Sequence, residues 1–205
     1  ADMTKAEALE SVDLMDCRYA VCTYHPVTME AGGVDGQITE FLGAITECPQ
    51  IEFIATKSNA DQGGARINGL LDEAEKRIGN LHVFASLGIR RYLSLMRHAE
   101  FVLGNSSSGI IEAPALHVPT INIGDRQRGR LQAASIINCG PDRKSIVSAM
   151  EKAMSDEHKM ACKAVISPYG SGSAGKMIAD KMIAAVRNGQ ISLKKRFYDL
   201  EGRQT

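Results

Sequence analysis

Three consecutive serines follow a predicted strand and open a predicted helix, which is a context typical of phosphate binding. Asn105-Ser106-Ser107-Ser108-Gly109 comes directly after the run Glu100–Gly104. The first amides of a helix have no intrahelical acceptor and carry the positive end of the helix dipole. Hydroxyls beside those amides complete a pocket of donors for phosphate oxygens. Simple N-capping by Ser107 or Ser108 is the alternative, although one serine is enough for that.

Glu112 lies in the first turn of the same predicted helix. A carboxylate there interacts favourably with the helix dipole, and this is one explanation for its position. A second explanation is ribose binding, since a carboxylate would repel phosphate but can accept hydrogen bonds from two neighbouring hydroxyls. Serines on phosphate and Glu112 on ribose would together form a nucleotide site. Pro114 removes a backbone donor, so we expect this helix to be short or bent.

A second predicted strand, Val118–Ile123, leads into a loop with three arginines within five residues: Arg126, Arg128 and Arg130. Each guanidinium can hold two phosphate oxygens at once. The loop begins where a parallel strand ends, which is where α/β sheets bind ligands. A solvated basic loop is the alternative interpretation.

His25 stands apart from the other histidines because it follows the carboxyl end of the first predicted strand, Arg18–Tyr24. A histidine near phosphate can donate a hydrogen bond or protonate a leaving oxygen. Sequence alone does not choose between this role and a structural one. The remaining histidines fall within or at the ends of regular elements, in a turn or in a polar stretch, where we expect structural or exposed roles; they are His82, His98, His117 and His158.

Alternating strands and helices must position these loops. Apolar runs of four to seven residues predict buried strands at 18–24, 51–56, 82–85, 100–104, 118–123 and 135–139. Periodic segments predict helices at 35–48, 65–77, 90–98, 108–116, 142–154 and 174–187. In the third of these, Tyr92, Leu93 and Met96 share one face. Repeated β-α-β units indicate an α/β fold with a Rossmann-like, doubly wound parallel sheet.

The amino-acid composition argues against several classes of function. The 205 residues carry 24 basic and 24 acidic side chains, so the zero net charge argues against nucleic-acid binding. No apolar run approaches the roughly 20 residues of a membrane helix, and the polar N-terminus is not a signal peptide. The five cysteines lack the spacing of a disulfide framework or a zinc site. We expect reduced thiols, a cytoplasmic protein and no metal.

The segments HPVT, GNSSSGIIEAP and PTINIGDRQRGR, in this order, resemble the hydrolysing UDP-N-acetylglucosamine 2-epimerases of sialic- and nonulosonic-acid synthesis. ISPYGSGSA and KKRFYDL are similar to segments of the bacterial members. The resemblance implies the C-terminal domain of a glycosyltransferase-B-type fold, with the N-terminal domain missing. Residues 1–16 would then link from that domain, residues 17–187 would bind UDP, and the tail 188–205 would pack back on the missing domain.

The resemblance also implies a reaction and its residues. UDP leaves by anti elimination, and water adds to the resulting glycal to give N-acetylmannosamine. Ser106 and Ser107 would bind diphosphate, and Glu112 would bind ribose. Arg126 and His25 would assist the departure of UDP. Two further contacts to the nucleotide would come from Asn59 and from the backbone of Leu87, whereas Arg128 and Arg130 match less certain roles. The implied partner is a UDP-sugar, no cofactor is needed, homo-oligomers are expected, and the acidic catalytic residues belong to the missing domain.

The segment after the first predicted strand distinguishes two branches of the family. The non-hydrolysing epimerases carry H-R-x-E-N where this chain has His25-Pro-Val-Thr-Met-Glu30, which favours the hydrolysing branch but leaves the sugar undecided.

Two other functions remain open. A glycosyltransferase of the same architecture would need an acceptor, so UDP and N-acetylmannosamine formed without one would exclude it. A non-enzymatic nucleotide-binding module is the second alternative, which an upstream Rossmann-like domain in the parent gene would argue against.

Overall fold

The computed structural model describes residues 3–27, 33–59, 63–170, 172–191 and 194. The chain forms two compact units, Ala1–Tyr169 and Gly170–Thr205. The strands are β1 (Tyr19–Thr23), β2 (Glu52–Thr56), β3 (Leu81–Phe84), β4 (Phe101–Gly104), β5 (Thr120–Ile123) and β6 (Ile136–Cys139). The helices are α1 (Lys5–Glu10), α2 (Gly33–Thr46), α3 (Gly64–Glu75), α4 (Gly88–His98), α5 (Ser108–Ala115), α6 (Arg143–Met154), α7 (Asp156–Lys163) and α8 (Ala174–Arg187). Only α8 lies in the second unit.

The six strands form one sheet in the order β3-β2-β1-β4-β5-β6, and every neighbouring pair is parallel. This order confirms the predicted Rossmann-like doubly wound sheet. The chain runs outward from β1 in one direction and from β4 in the other, so the switch point lies between these two strands. In open α/β sheets the crevice beyond the carboxyl ends at a switch point is the usual ligand site.

Both faces of the sheet are buried, which explains the continuous apolar runs. Successive residues of a strand point to opposite faces. Ala20 and Cys22 of β1 belong to a core cluster with residues of α2, α3 and α6. Tyr19 and Val21 belong to a second cluster with residues of α1 and α4. A strand covered by helices on both faces has no solvent side and needs no polar alternation.

The N-terminal helix α1 is part of this packing. Thr4 and Glu7 form a capping box, in which Thr4 Oγ1 accepts from the Glu7 amide and the Glu7 carboxylate accepts from the Thr4 amide. Ala8, Leu9 and Val12 are buried in the cluster that contains Tyr19 and Val21. Much of the predicted link 1–16 is therefore folded against the sheet. The domain boundaries at 16 and 187 stay predictions, and the tail 188–205 lies mostly outside the described residues.

The predicted strands and helices agree with the structure to within two residues at each end. Pro114 lies in the second turn of α5, and that helix ends after eight residues, as expected. The prediction missed α7. Its sequence is mostly polar and Cys162 is its one buried residue, so it lacks an apolar period; Ser155 starts it by accepting a hydrogen bond from the His158 amide.

Among the described residues, none of the helices combines the length and the apolar character that crossing a membrane requires.

Candidate functional site

A cleft of about 610 Å³ opens at the carboxyl ends of β1 to β4, next to the switch point. Loops after five strands contribute to its walls, and we call it the serine cleft. Its described lining comprises Thr23, His25, Thr56, Lys57, Ser58, Asn59, Ala85, Ser86, Leu87, Gly88, Ile89, Tyr92, Ser106, Ser107, Ser108 and Arg126. This lining contains no carboxylate among the described residues.

Asn105 connects three of these loops from a fully buried position. Its side chain pairs with the His25 backbone in both directions: the His25 amide donates to Oδ1 at 2.7 Å, and Nδ2 donates to the His25 carbonyl at 2.8 Å. The Asn105 carbonyl accepts from Arg126 Nη1 at 3.1 Å and from Gln127 Nε2 at 2.8 Å. The loops after β1, β4 and β5 are thus held together at one residue.

Gly104, immediately before Asn105, allows β4 to end close to β1. Its φ of +138° lies in a region that L side chains rarely adopt. A Cβ at this position would also collide with the Thr23 carbonyl oxygen. We therefore expect that any side chain at Gly104 would displace the loop that carries Asn105 and the serines.

The His25 ring is held from the neighbouring strand end. Its Nδ1 lies 3.1 Å from Ser58 Oγ. Ser58 is itself fixed by Asn68, whose Oδ1 accepts from the Ser58 amide at 2.8 Å and whose Nδ2 donates to the Ser58 carbonyl at 3.2 Å. The histidine side chain therefore enters the cleft in a defined orientation, with its backbone and its ring both anchored.

The serine loop lies at the N-terminus of α5, and its hydroxyls make contacts within the loop. Ser107 is the N-cap of α5, but its side chain makes no capping hydrogen bond. Ser106 Oγ accepts from the Ser108 amide at 3.4 Å and from the Ser108 hydroxyl at 3.2 Å. Simple capping by the Ser107 hydroxyl is thus not observed. Hydroxyls at the positive end of α5 line the cleft beside Arg126.

The three predicted arginines separate. Arg126 lines the serine cleft, whereas Arg128 and Arg130 line a different cavity of about 760 Å³ at the ends of β5 and β6, which we call the arginine cavity. Arg128 is exposed and pairs with Asp125 at 3.3 Å. The loop after β5 therefore divides its positive charge between two places, and only its first arginine meets the other predicted residues.

Asn59 and Leu87 both line the serine cleft, and their contacts with a nucleotide stay predictions. Leu87 is buried, and its side chain belongs to the core cluster of α1 and α4. Its backbone is therefore the part that can face a ligand. Lys57 also lines the cleft, with its ammonium held 2.7 Å from Asp72.

Glu112 does not line the serine cleft, and it lies in the second turn of α5 rather than in the first turn as predicted, because the helix begins at Ser108. Its Oε2 is buried and has no hydrogen-bond partner among the described residues. Burial raises the pKa of this carboxyl above its ordinary value. Ribose binding by Glu112 stays a prediction. Buried polar atoms normally have a hydrogen-bond partner, so a ligand hydroxyl is one group that could donate to this oxygen.

Sequence reasoning gave no role to four residues that line the cleft, namely Thr23, Thr56, Ser58 and Tyr92, and none to the buried Asn105 behind it. The two threonines end β1 and β2, so their place at the carboxyl edge was a usable signal. Tyr92 was assigned to an apolar helix face, and its ring does pack on core residues. Its hydroxyl nevertheless reaches the cleft, as a partly buried tyrosine allows.

Within the described part of the chain, the structure contains no group of three or more His, Cys, Asp or Glu that could hold a metal ion.

The comparisons of this sequence with known proteins agree on one family. The sequence model of the UDP-N-acetylglucosamine 2-epimerase family matches residues 1–183. The GDP/UDP-N,N'-diacetylbacillosamine 2-epimerase (hydrolyzing) of Campylobacter jejuni is 38% identical over 146 residues, which are 71% of this chain and 38% of that protein. Polysialic acid biosynthesis protein P7 of Escherichia coli is 33% identical over 190 residues, which are 89% of this chain and 46% of that protein.

Solved structures show the same fold. The UDP-GlcNAc 2-epimerase of Neisseria meningitidis, solved with UDP-GlcNAc, matches 88% of this chain and 47% of its own length, with a TM-score of 0.62 and 15% identity. The Methanocaldococcus jannaschii UDP-GlcNAc 2-epimerase, solved with UDP-GlcNAc and UDP, matches 88% of this chain and 48% of its own, with a TM-score of 0.64 and 19% identity. The chain thus spans less than half the length of these relatives. By its sequence match over residues 1–183, it belongs to the UDP-N-acetylglucosamine 2-epimerase family.

Proposed function

We propose that this chain is the UDP-binding half of a hydrolysing UDP-N-acetylglucosamine 2-epimerase. The observation that carries the proposal is the convergence of Ser106, Ser107, Arg126 and His25 on one cleft at the switch point of the sheet. In the complete enzyme, UDP-N-acetylglucosamine and water would become N-acetylmannosamine and UDP. Homo-oligomers and a cytoplasmic location, which the resemblance implies, belong to the same proposal.

Diphosphate would lie against the N-terminus of α5. The helix dipole and the serine hydroxyls supply neutral donors there, and Arg126 supplies a full positive charge. Arg126 Nη1 donates to the Asn105 carbonyl, so the guanidinium is oriented before a ligand arrives. A planar fork held in this way can accept the charge that grows on the diphosphate as the bond from C1 to oxygen breaks.

His25 would contact the diphosphate from the end of β1, beside the serine loop. Its ring orientation is set by Ser58 and its backbone by Asn105. A histidine at this point could donate a hydrogen bond to the leaving oxygen, or protonate it as UDP departs. The nucleoside would extend toward Leu87 and Asn59. Glu112 lies outside the described lining of this cleft, so its proposed contact with ribose would require the ribose to reach beyond that lining.

The proton at C2 of the sugar needs a base, and the described lining of the cleft offers no carboxylate. We therefore expect the base to come from the part of the enzyme that the relatives have beyond this match. The Campylobacter relative is named for a diacetylbacillosamine substrate and the Neisseria structure for UDP-GlcNAc. UDP is common to both names, which fits a half that recognises the nucleotide and leaves the sugar to the other half.

The proposal predicts that the 205-residue chain binds UDP without turning over UDP-N-acetylglucosamine. Isothermal titration with UDP, uridine and N-acetylmannosamine should rank UDP first, because the donors named above address phosphate. UDP release from UDP-N-acetylglucosamine should be absent and should return when the other half is joined. Sugar binding as tight as UDP binding would contradict the proposal. Release by the chain alone that His25→Ala abolishes would place the catalytic machinery here instead.

A further inference from the structure

Five hydroxyls along the wall of the serine cleft form a continuous chain. Thr56 Oγ1 lies 2.6 Å from Thr23 Oγ1, which lies 3.4 Å from the Tyr92 hydroxyl. The Tyr92 hydroxyl lies 2.7 Å from Ser108 Oγ, which donates to Ser106 Oγ at 3.2 Å. Tyr92 is the only member from α4, and it bridges the ends of β1 and β2 to the serine loop after β4.

The hydroxyl of Ser106 is the last in this series of hydrogen bonds, and its proton has one direction open to it. A serine hydroxyl has one proton to donate and two lone pairs to accept with. Ser106 Oγ already accepts from the amide and from the hydroxyl of Ser108. Its own proton must therefore point away from Ser108, and because Ser106 lines the cleft, an acceptor bound in the cleft is its natural partner.

The direction of the chain depends on Tyr92. Ser108 can donate to Ser106 while its own oxygen accepts from Tyr92, and the 2.7 Å separation is typical of a good O–H···O bond. A phenol is a stronger donor than an aliphatic hydroxyl, which favours donation from Tyr92 to Ser108. Burial raises the pKa of Tyr92, so its proton is retained. Aligned hydroxyls polarise one another and strengthen the final bond.

We propose that Tyr92 is a positioning residue for phosphate: its hydroxyl directs the Ser108 proton to Ser106, so that Ser106 donates to a phosphate oxygen in the cleft. The inference rests on the proposed function and adds to it a residue outside the serine and arginine loops. A purely structural role for Tyr92 makes a different prediction, because its ring packs on both neighbouring core clusters and phenylalanine would preserve that packing.

The test is Tyr92→Phe in the full 205-residue chain, with UDP and uridine as probes in amide NMR titrations that reach millimolar affinities. We expect UDP to bind about fivefold more weakly, the scale of one hydrogen bond. Uridine affinity should stay within about twofold, since it has no phosphate for Ser106 to contact. Ser108→Ala should reproduce the loss for UDP, and the double variant should lose no more than either single variant, because both interrupt the same chain.

Tyr19→Phe is the matched control. Its hydroxyl is buried and donates to the Leu95 carbonyl at 2.8 Å, outside the hydroxyl chain. We expect it to lower thermal stability without changing the ratio of UDP to uridine affinity. Three results would overturn the role of Tyr92 but not the proposed function. They are equal losses of UDP and uridine affinity in Tyr92→Phe, an unchanged UDP affinity in that variant, and additive losses when it is combined with Ser108→Ala. A wild-type chain that does not bind UDP would overturn the proposed function and this inference together.

Discussion

The serine cleft and the arginine cavity, both at the carboxyl edge of the sheet, differ in how they are built. The arginine cavity is the larger, at about 760 Å³ against 610 Å³, and its described lining has two arginines where that of the serine cleft has one. Arg126 and Arg128 are both exposed, and Arg128 pairs with an exposed carboxylate, that of Asp125, at 3.3 Å. In the serine cleft, Arg126 and His25 are both tied to a fully buried asparagine.

This difference indicates that side chains oriented before a ligand binds, more than cavity volume or the number of positive charges, distinguish the ligand site. An exposed arginine loses side-chain entropy when it binds an anion, and surface charge pairs contribute little. A guanidinium and an imidazole already held in place lose less. Asn105 joins three loops of the serine cleft through hydrogen bonds of its backbone and its side chain. No described residue joins the loops of the arginine cavity in this way.

The largest effect should follow from removing this connection. Asn105→Ala leaves the His25 amide and carbonyl without their side-chain partner in a buried place, and we expect a loss of about 2–4 kcal/mol in the free energy of unfolding. UDP binding should weaken strongly, since the loop that carries His25 loses its side-chain partner, whereas the Asn105 backbone carbonyl that accepts from Arg126 remains in this variant. Urea denaturation and titration with UDP would measure the two effects.

The matched control is Asn122→Ala beside the arginine cavity. Asn122 is also buried, but it donates to a side chain, Asn138 Oδ1, at 2.8 Å. We expect a loss of about 1 kcal/mol and UDP affinity within about twofold of wild type. Asn105→Asp keeps the acceptor for the His25 amide but places a carboxylate oxygen against the His25 carbonyl in a fully buried position, so at pH 7 it should destabilise the fold at least as much as Asn105→Ala. If both alanine variants weaken UDP equally, the distinction between the two cavities fails.

A second, smaller effect separates the arginines. Arg126→Ala should weaken UDP binding by about 1.5–3 kcal/mol, the scale of a hydrogen bond to a charged group. Arg126→Lys should recover only part of it, because an ammonium lacks the bidentate fork. Calorimetry with UDP would give both values.

Arg128→Ala removes the same charge from the same loop and should leave UDP affinity within about twofold. Equal losses for Arg126→Ala and Arg128→Ala would mean that the loop acts through its total charge. That result would contradict the argument from orientation, since the arginine held by the Asn105 carbonyl and the arginine paired with Asp125 would then contribute alike.

The smallest effect concerns Glu112, whose buried carboxyl has a raised pKa. A carboxyl with a higher pKa in the folded state is protonated more readily there, so its ionisation opposes folding as pH rises through and above its ordinary range. Glu112→Gln should therefore raise the melting temperature slightly at pH 7. The gain should disappear at acidic pH, where the wild-type carboxyl is protonated in both states.

The same variant should weaken UDP more than a 2′,3′-dideoxy analogue, because a carboxylate accepts from two ribose hydroxyls. Greater stability with weaker binding is the pattern of a group kept for function. Equal losses for the two ligands would return Glu112 to a role at the helix dipole, and a lower melting temperature would show that its buried oxygen has a partner in the folded protein.

The sequence predicted the loops of the site better than the residues that assemble them. Ser106, Ser107 and His25 follow strands at the carboxyl edge, and parallel strands bring such positions together wherever they lie in the chain. Arg126 and Arg128 are alike in sequence, and only the course of the loop after β5 separates them. Tyr92 follows the apolar period of α4, so its pattern predicts packing and says nothing of its hydroxyl.

By itself, the sequence determined the order and the limits of the main strands and helices, because apolar runs and helical periods depend on neighbouring residues. It also determined the family, through GNSSSGIIEAP and GDRQRGR. The tertiary structure alone decided that Asn105 holds His25, 80 positions away, and that Tyr92 joins the serine loop to the ends of β1 and β2. Such hydrogen bonds depend on distances between residues far apart in the chain, and no local pattern encodes those distances.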